Sequence, residues 1–269
     1  MQAAFFDLDK TVISRSSSFS LARPMYRAGM VSRRTVVQSA YAQMVFMLLG
    51  ADERRLDRAK GAMLKLTKGW ERARLEALVH EVMEEVIDPF VYQEALELMA
   101  EHRAAGREVW IVSTSPEEIV RPLAEHFGAT GVIATRAAVT PDGRYTGELE
   151  FYCFRETKAE AMRQLAERRG IDLASSFAYS DSVTDLPMLE AVGNPSSVNP
   201  DRELRREAEQ REWPVLVFRR PVRLMRRRAP ASSDGGSGGG LVVVWAAAAI
   251  LVAAGVLVWI WMRGRRSRR

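Results

Sequence analysis

The sequence predicts an α/β protein: a doubly wound, mostly parallel sheet, with a helical cap inserted after its first strand and one transmembrane helix towards its C-terminus. Three observations lead there. Short apolar runs alternate with helix-length stretches; one long helical segment, residues 14–105, breaks that alternation after the first strand; and a 22-residue apolar run occupies 241–262.

Taken in order, AAFF (3–6) is the first strand. Residues 14–105 carry helical periodicity without a convincing strand. An insertion of that length cannot lie within the sheet, so it is expected to sit above the strand ends as a cap. EVWIV (108–112), GVIAT (131–135), SFAYS (176–180) and PVLVF (214–218) read as further strands buried on both faces. Helices are expected at 116–127, 157–169, 184–192 and 201–211. PDGRYTGELEF (141–151), with Asp-Gly between extended segments, reads as a β-hairpin. The core domain is then 1–13 with 106–218, and the cap is 14–105.

Beyond the core comes a basic, Gly/Ser-rich linker (219–240), then LVVVWAAAAILVAAGVLVWIWM (241–262) and a basic tail (263–269). A helix of that apolar length covers roughly the 30 Å hydrocarbon core. Trp245, Trp259 and Trp261 stand near its two ends, where interfaces favour them. A single-pass anchor in the cell membrane is expected. With the first strand opening the sequence, no signal peptide is expected, and the lone cysteine, Cys153, suits a reducing compartment, so the domain is expected in the cytoplasm. Arginines between 219 and 228 suit anionic headgroups, each contributing about 1 kcal/mol.

Charge narrows the partners. The net charge is +5, but from Arg219 onward eleven arginines face one acid, Asp234, which leaves −5 on residues 1–218. An acidic body with a basic tail argues against a nucleic-acid-binding domain. His80, His102 and His126 lack ligand spacing, which argues against zinc.

Ligands of open α/β sheets bind at the carboxyl ends of strands, and three such ends carry chemistry. The first is Asp7-Leu8-Asp9-Lys10-Thr11; by itself it also suits a turn or a helix cap. The second, VWIVSTSP, brings Ser113 and Thr114 to a strand–helix junction, where hydroxyls and N–H groups suit a phosphate or an ordinary cap. The third, AYSDSVTDLPML, supplies Asp181 and Asp185. Lys158 stands near a helix N-terminus, unfavourable for a cation, in a chain with only five lysines among 39 basic residues. Four carboxylates at strand ends call for a hard cation such as Mg²⁺.

DLDKT, Ser113 after its apolar run, Lys158 and SDSVTDLPML together resemble the four ordered motifs of the haloacid dehalogenase superfamily. The match lies within its phosphoserine-phosphatase-like branch, whose sheet is Rossmann-like and whose small helical cap lies between motifs one and two. The resemblance spans 3–218 and implies a phosphomonoester hydrolase working through an aspartyl-phosphate. It implies Asp7 as nucleophile and Asp9 as the acid, then base, of the two half-reactions. Mg²⁺ would be held by Asp7, the Asp9 carbonyl and Asp181. Ser113, Thr114 and Lys158 would hold phosphoryl oxygens, with Thr11 supporting the phosphate loop and Asp185 fixing Lys158 or a metal-bound water.

Two departures bear on the substrate. Ser16 stands where phosphoserine-specific members place a cap glutamate, and Ser113-Thr114-Ser115-Pro116 replaces a serine-glycine-glycine motif. With the anchor, this leaves soluble and lipid phosphomonoesters both open as substrates. The stretch YAQMVFMLLG (41–50) suits cap core or lipid contact. The rival expectation is a catalytically silent regulator or scaffold using the same fold, a role associated with differentiation among some actinobacterial relatives. The presence of Asp7, Asp9, Lys158, Asp181 and Asp185 weighs against it.

Overall fold

The first apolar run forms β1 (Ala3–Asp7), buried along its whole length. Ala4 and Phe6 join one hydrophobic cluster while Ala3 and Phe5 join another. Successive side chains of a strand point to opposite faces, so β1 needs cover on both sides, and its unbroken apolar sequence meets that need. The computed structural model describes residues 1–31, 61, 64–83 and 87–222. The apolar cap stretch 41–50, the linker beyond residue 222, the expected membrane span 241–262 and the tail 263–269 lie outside them. Among the described residues no helix is long and apolar enough to cross a membrane.

After β1 come short helices α1 (Ser17–Ser20) and α2 (Ala22–Arg27), and later α3 (Arg72–Val82), which buries Leu75, Leu78 and Val79. The following helix, α4 (Gln93–Ala104), falls within the segment the sequence assigns to the cap. It turns Ala95 and Met99 into the cluster that holds Ala4 and Phe6, so it packs as a crossover helix of the sheet. Its His102 Nε2 lies 2.9 Å from the Tyr179 hydroxyl. Burial, with Arg107 beside it, lowers the His102 pKa to about 4, so the ring stays neutral at neutral pH.

β2 (Glu108–Pro116) runs past its apolar run to include Ser113 and Ser115, with a register shift against its neighbour between Ser113 and Pro116. α5 (Glu117–His126) returns to β3 (Gly131–Val139), which pairs antiparallel with β4 (Tyr145–Phe151). The expected hairpin is present, and Gly143, at φ 78°, takes the left-handed turn conformation there. α6 (Glu156–Arg169) ends on Gly170 at φ 67°, a left-handed C-cap. β5 (Phe177–Ser180) and the short α7 (Leu186–Glu190) follow.

The strand β6 (Asn194–Val198) corrects the sequence reading, which has no strand there. Asn-Pro-Ser-Ser has the composition of a turn. Pairing to β5 on one side and β7 (Val215–Leu216) on the other makes it a strand, with Ser197 fully buried. α8 (Arg202–Gln210) starts where the Asp201 carboxylate accepts from Leu204 N–H at 2.8 Å, an N-cap bond. The sheet order is β4-β3-β2-β1-β5-β6-β7, parallel except for β3–β4.

Among the described residues, two backbone junctions join the insertion to the core. At one, Ile13 pairs with Val91, Ser14 N–H donates to the Phe90 carbonyl at 2.7 Å, and Tyr92 N–H to that of Val12 at 2.9 Å. At the other, Gly69 N–H donates to the Tyr145 carbonyl at 2.8 Å and Arg72 N–H to that of Gly143 at 3.0 Å. The chain beyond β7 adds a third strand-like piece to the first junction. Pro221 pairs with Tyr92, Val222 N–H donates to the Val91 carbonyl, and Arg220 forms ion pairs with Glu94 and Glu97.

Candidate active site

β2, β1 and β5 are adjacent and parallel, so their carboxyl ends open on one edge of the sheet. That edge brings Asp7, Ser113 and Asp181 together, as the sequence expects. Lys158 reaches them from the first turn of α6. Its Nζ donates to Asp7 Oδ1 at 2.7 Å and to Asp185 Oδ2 at 2.8 Å, and the lysine is only 2% exposed. An ammonium has three protons, so one donor position remains after those two bonds. The Ser180 hydroxyl also donates to Asp185 Oδ2, at 2.7 Å, fixing the carboxylate that steadies the lysine.

Beyond β1 the backbone turns at Lys10, whose φ of 66° is left-handed, a costly conformation for a side chain with a Cβ. Asp9 lies on the way into that turn and Thr11 just after it. The Asp9 carboxylate accepts from Ser17 N–H at 2.7 Å and from the Ser115 hydroxyl at 3.1 Å. Thr11 is fully buried, and its Oγ1 has no hydrogen-bond partner among the described residues. Ser113 is buried and its Oγ accepts from Ser115 N–H at 3.2 Å. Thr114 is half-buried between these two serines; Ser115, not Thr114, reaches the acidic cluster.

Electrostatics explains what such a cluster lacks. Burial raises the Asp7 pKa well above the carboxylate range, against the pull of Lys158, and Asp185 and Asp181 push it further up. Burial also lifts Asp181 to about 7, opposed by Lys10 and reinforced by Asp185 and Asp201. Asp9 is raised by burial and pulled back by its bonds to Ser17 and Ser115. Lys158 loses by burial but gains more from Asp185 and Asp7, so its proton is held more tightly than in water. Four carboxylates around one buried lysine leave negative charge uncompensated. Among the described residues no three side chains of His, Cys, Asp or Glu form a complete metal cage. Asp7 and Asp181, oxygen donors whose charge burial leaves uncompensated, have the chemistry that suits a hard cation such as Mg²⁺.

Sequence reasoning did not single out Ser17, Ser115 or Ser180. Their only signal was the serine content of SRSSSF, STSP and AYSDS, indistinguishable from turn and cap composition. Cys153 is buried nearby, and burial pushes its thiol up to about 12, so it is a packing residue and not a nucleophile.

Residues 4–190 match the family described as haloacid dehalogenase-like hydrolase. The chain belongs to that family. Among relatives of this hydrolase, a protein of Streptomyces azureus named for inhibition of morphological differentiation is 51% identical over 225 residues, covering 84% of this chain and 81% of the relative. A protein of Mycobacterium tuberculosis named a probable phosphatase is 50% identical over 222 residues, covering 82% of this chain and 77% of the relative. A solved structure from Bordetella pertussis Tohama I, of unknown function, is 32% identical with a TM-score of 0.71 and covers 80% of the hydrolase and 97% of that chain. The hydrolase is phosphoserine-phosphatase-like in sequence and fold.

Proposed function

We propose that this hydrolase is a Mg²⁺-dependent phosphomonoesterase that transfers the phosphoryl group to Asp7 and then to water. The observation that carries the reading is the convergence of Asp7, Asp9, Lys158, Asp181 and Asp185 at the carboxyl ends of adjacent parallel strands. Asp7 Oδ1 is engaged by Lys158, and the carboxylate attacks phosphorus as the phosphorus–oxygen bond to the leaving alcohol breaks. Asp9 gives a proton to the departing oxygen; in the second half-reaction it takes one from water, which releases phosphate and restores Asp7. Ser113, the third proton of Lys158 and the Thr11 hydroxyl, unpartnered among the described residues, serve the phosphoryl oxygens and the loop that cradles them. Asp7, Asp181 and the Asp9 carbonyl would hold Mg²⁺, which would supply the positive charge that lets an anionic nucleophile meet an anionic phosphate.

The apolar run 241–262 supports a membrane tether, and a tether raises the effective concentration of membrane-associated substrates. The substrate class is a small or lipid phosphomonoester. Ser16, in place of an acid, argues against selection for a substrate ammonium such as that of phosphoserine. A second reading, a silent regulator, draws on the name of the Streptomyces relative; the intact acidic set and Lys158 favour catalysis.

The test is a phosphate-ester panel on the purified chain with Mg²⁺, with chelator, and with Asp7→Asn. Mg²⁺-dependent release of phosphate that vanishes in Asp7→Asn is expected. No turnover across soluble and lipid esters, in a folded protein, overturns the catalytic reading.

A further inference from the structure

Both oxygens of the Asp9 carboxylate are held. Oδ1 accepts from Ser17 N–H at 2.7 Å and Oδ2 from the Ser115 hydroxyl at 3.1 Å. Behind them, Ser17 Oγ lies 3.0 Å from Ser115 Oγ in a buried contact. Ser115 has one hydroxyl proton, and Asp9 receives it, so Ser17 is the donor of the pair. Ser115 is in turn tied to Ser113, whose Oγ accepts its N–H.

Ser115 stands just before α5, whose cap residue is Pro116. Its hydroxyl donates across the strand end, to a residue 106 positions away in sequence. Ser17 comes from the first helix of the insertion and Ser115 from the end of β2 in the core. The pair therefore links cap, core and Asp9 through a single hydrogen-bonded chain.

We propose that Ser115 is a positioning residue for Asp9, and that Ser17 makes this positioning depend on the cap being seated. The inference rests on the reading of Asp9 as the group that serves the leaving oxygen. One bond comes from the insertion and one from the core, and together they fix the orientation of the carboxyl group. Lifting α1 from the strand end removes the Ser17 bonds to both Asp9 and Ser115 and leaves the carboxylate held through Oδ2 alone.

The experiment uses the full chain with Mg²⁺ and a leaving-group series from p-nitrophenyl phosphate to glycerol phosphate. Aspartyl-phosphate formation is followed by rapid quench in wild type, Ser115→Ala, Ser115→Thr and Ser17→Ala. In Ser115→Ala we expect a loss of about 10-fold or more with the alkyl ester, whose leaving oxygen needs a proton, and less than about 3-fold with the nitrophenyl ester, whose leaving oxygen does not. Ser115→Thr keeps the hydroxyl and restores the alkyl rate; Ser17→Ala falls between. Equal losses across the series, or none with the alkyl ester, overturn the proposal while leaving a working wild-type enzyme. Failure of the phosphatase reading looks different, since wild type then turns over none of the series. Amide exchange at Ser17, read without substrate, tests the geometry in either case. Faster exchange in Ser115→Ala supports the link, and unchanged exchange overturns it.

Discussion

Lys158 Nζ sits 2.7 Å from Asp7 Oδ1 and is almost fully buried beside it. A buried ion pair stabilises only when both members are present; removing one strands the other without water. Lys158→Met leaves Asp7 and Asp185 facing each other with no cation between them. We expect the catalytic rate to fall by about 100-fold or more and the melting temperature to fall in the same variant. Lys158→Arg does not restore the rate, because a planar fork cannot occupy the place of a compact ammonium between two carboxylates. Steady-state kinetics and thermal melts check both statements.

The raised carboxylates set the pH dependence of the metal-free protein. Asp181 moves from 3.8 to about 7 on folding. Between those values the folded state holds a proton the unfolded state has released, so stability falls as pH rises through that window. Asp7, also raised by burial, acts in the same direction. In chelator, melting temperature should decline from about pH 4 to about pH 7. Mg²⁺ should reverse the decline by stabilising the ionised forms, and Asp181→Asn should flatten the metal-free curve.

Gly170 closes α6 in the left-handed conformation, and a Cβ added there meets nothing within 4 Å. The cost of Gly170→Ala is therefore conformational and not steric, about 1 kcal/mol. Denaturant titration should show that loss with the catalytic rate unchanged, since the helix end lies opposite Lys158.

The segment after β7 holds the cap junction by backbone bonds more than by charge. Arg220 pairs with Glu94 and Glu97 on the surface, its side chain 59% exposed. Such pairs are screened by solvent, so Arg220→Ala should move the melting temperature by no more than about 2 °C. Truncation after Phe218 removes Pro221 from Tyr92 and Val222 from Val91. Amide exchange at Gln93, whose N–H donates to the Arg220 carbonyl, should rise clearly in the truncated protein.

The tether is tested by location. The full chain should sediment with membranes and resist extraction by salt, whereas a chain ending at residue 222 should not. Extraction by salt alone points to the arginines, not the apolar run, as the attachment.

The sequence by itself determined the strands β1, β2, β3 and β5, the helices between them and the placement of Asp7, Ser113 and Asp181 at strand ends; a place for Lys158 beside them came only from the family resemblance. It could do so because continuous apolar runs are what a doubly covered strand requires, and because ligands gather where parallel strands end. The strand β6 was not legible, since Asn-Pro-Ser-Ser has turn chemistry and becomes a strand only between two partners. The assignment of α4 to the sheet was decided by packing, because the helical period of 93–104 says nothing about which layer buries it. Ser17, Ser115 and Ser180 belong to the same class. A serine's hydroxyl carries no sequence signature until the fold supplies a partner, and for Ser115 that partner, Asp9, lies 106 residues away along the chain. Local periodicity fixes elements; only tertiary contact chooses which short polar side chains meet.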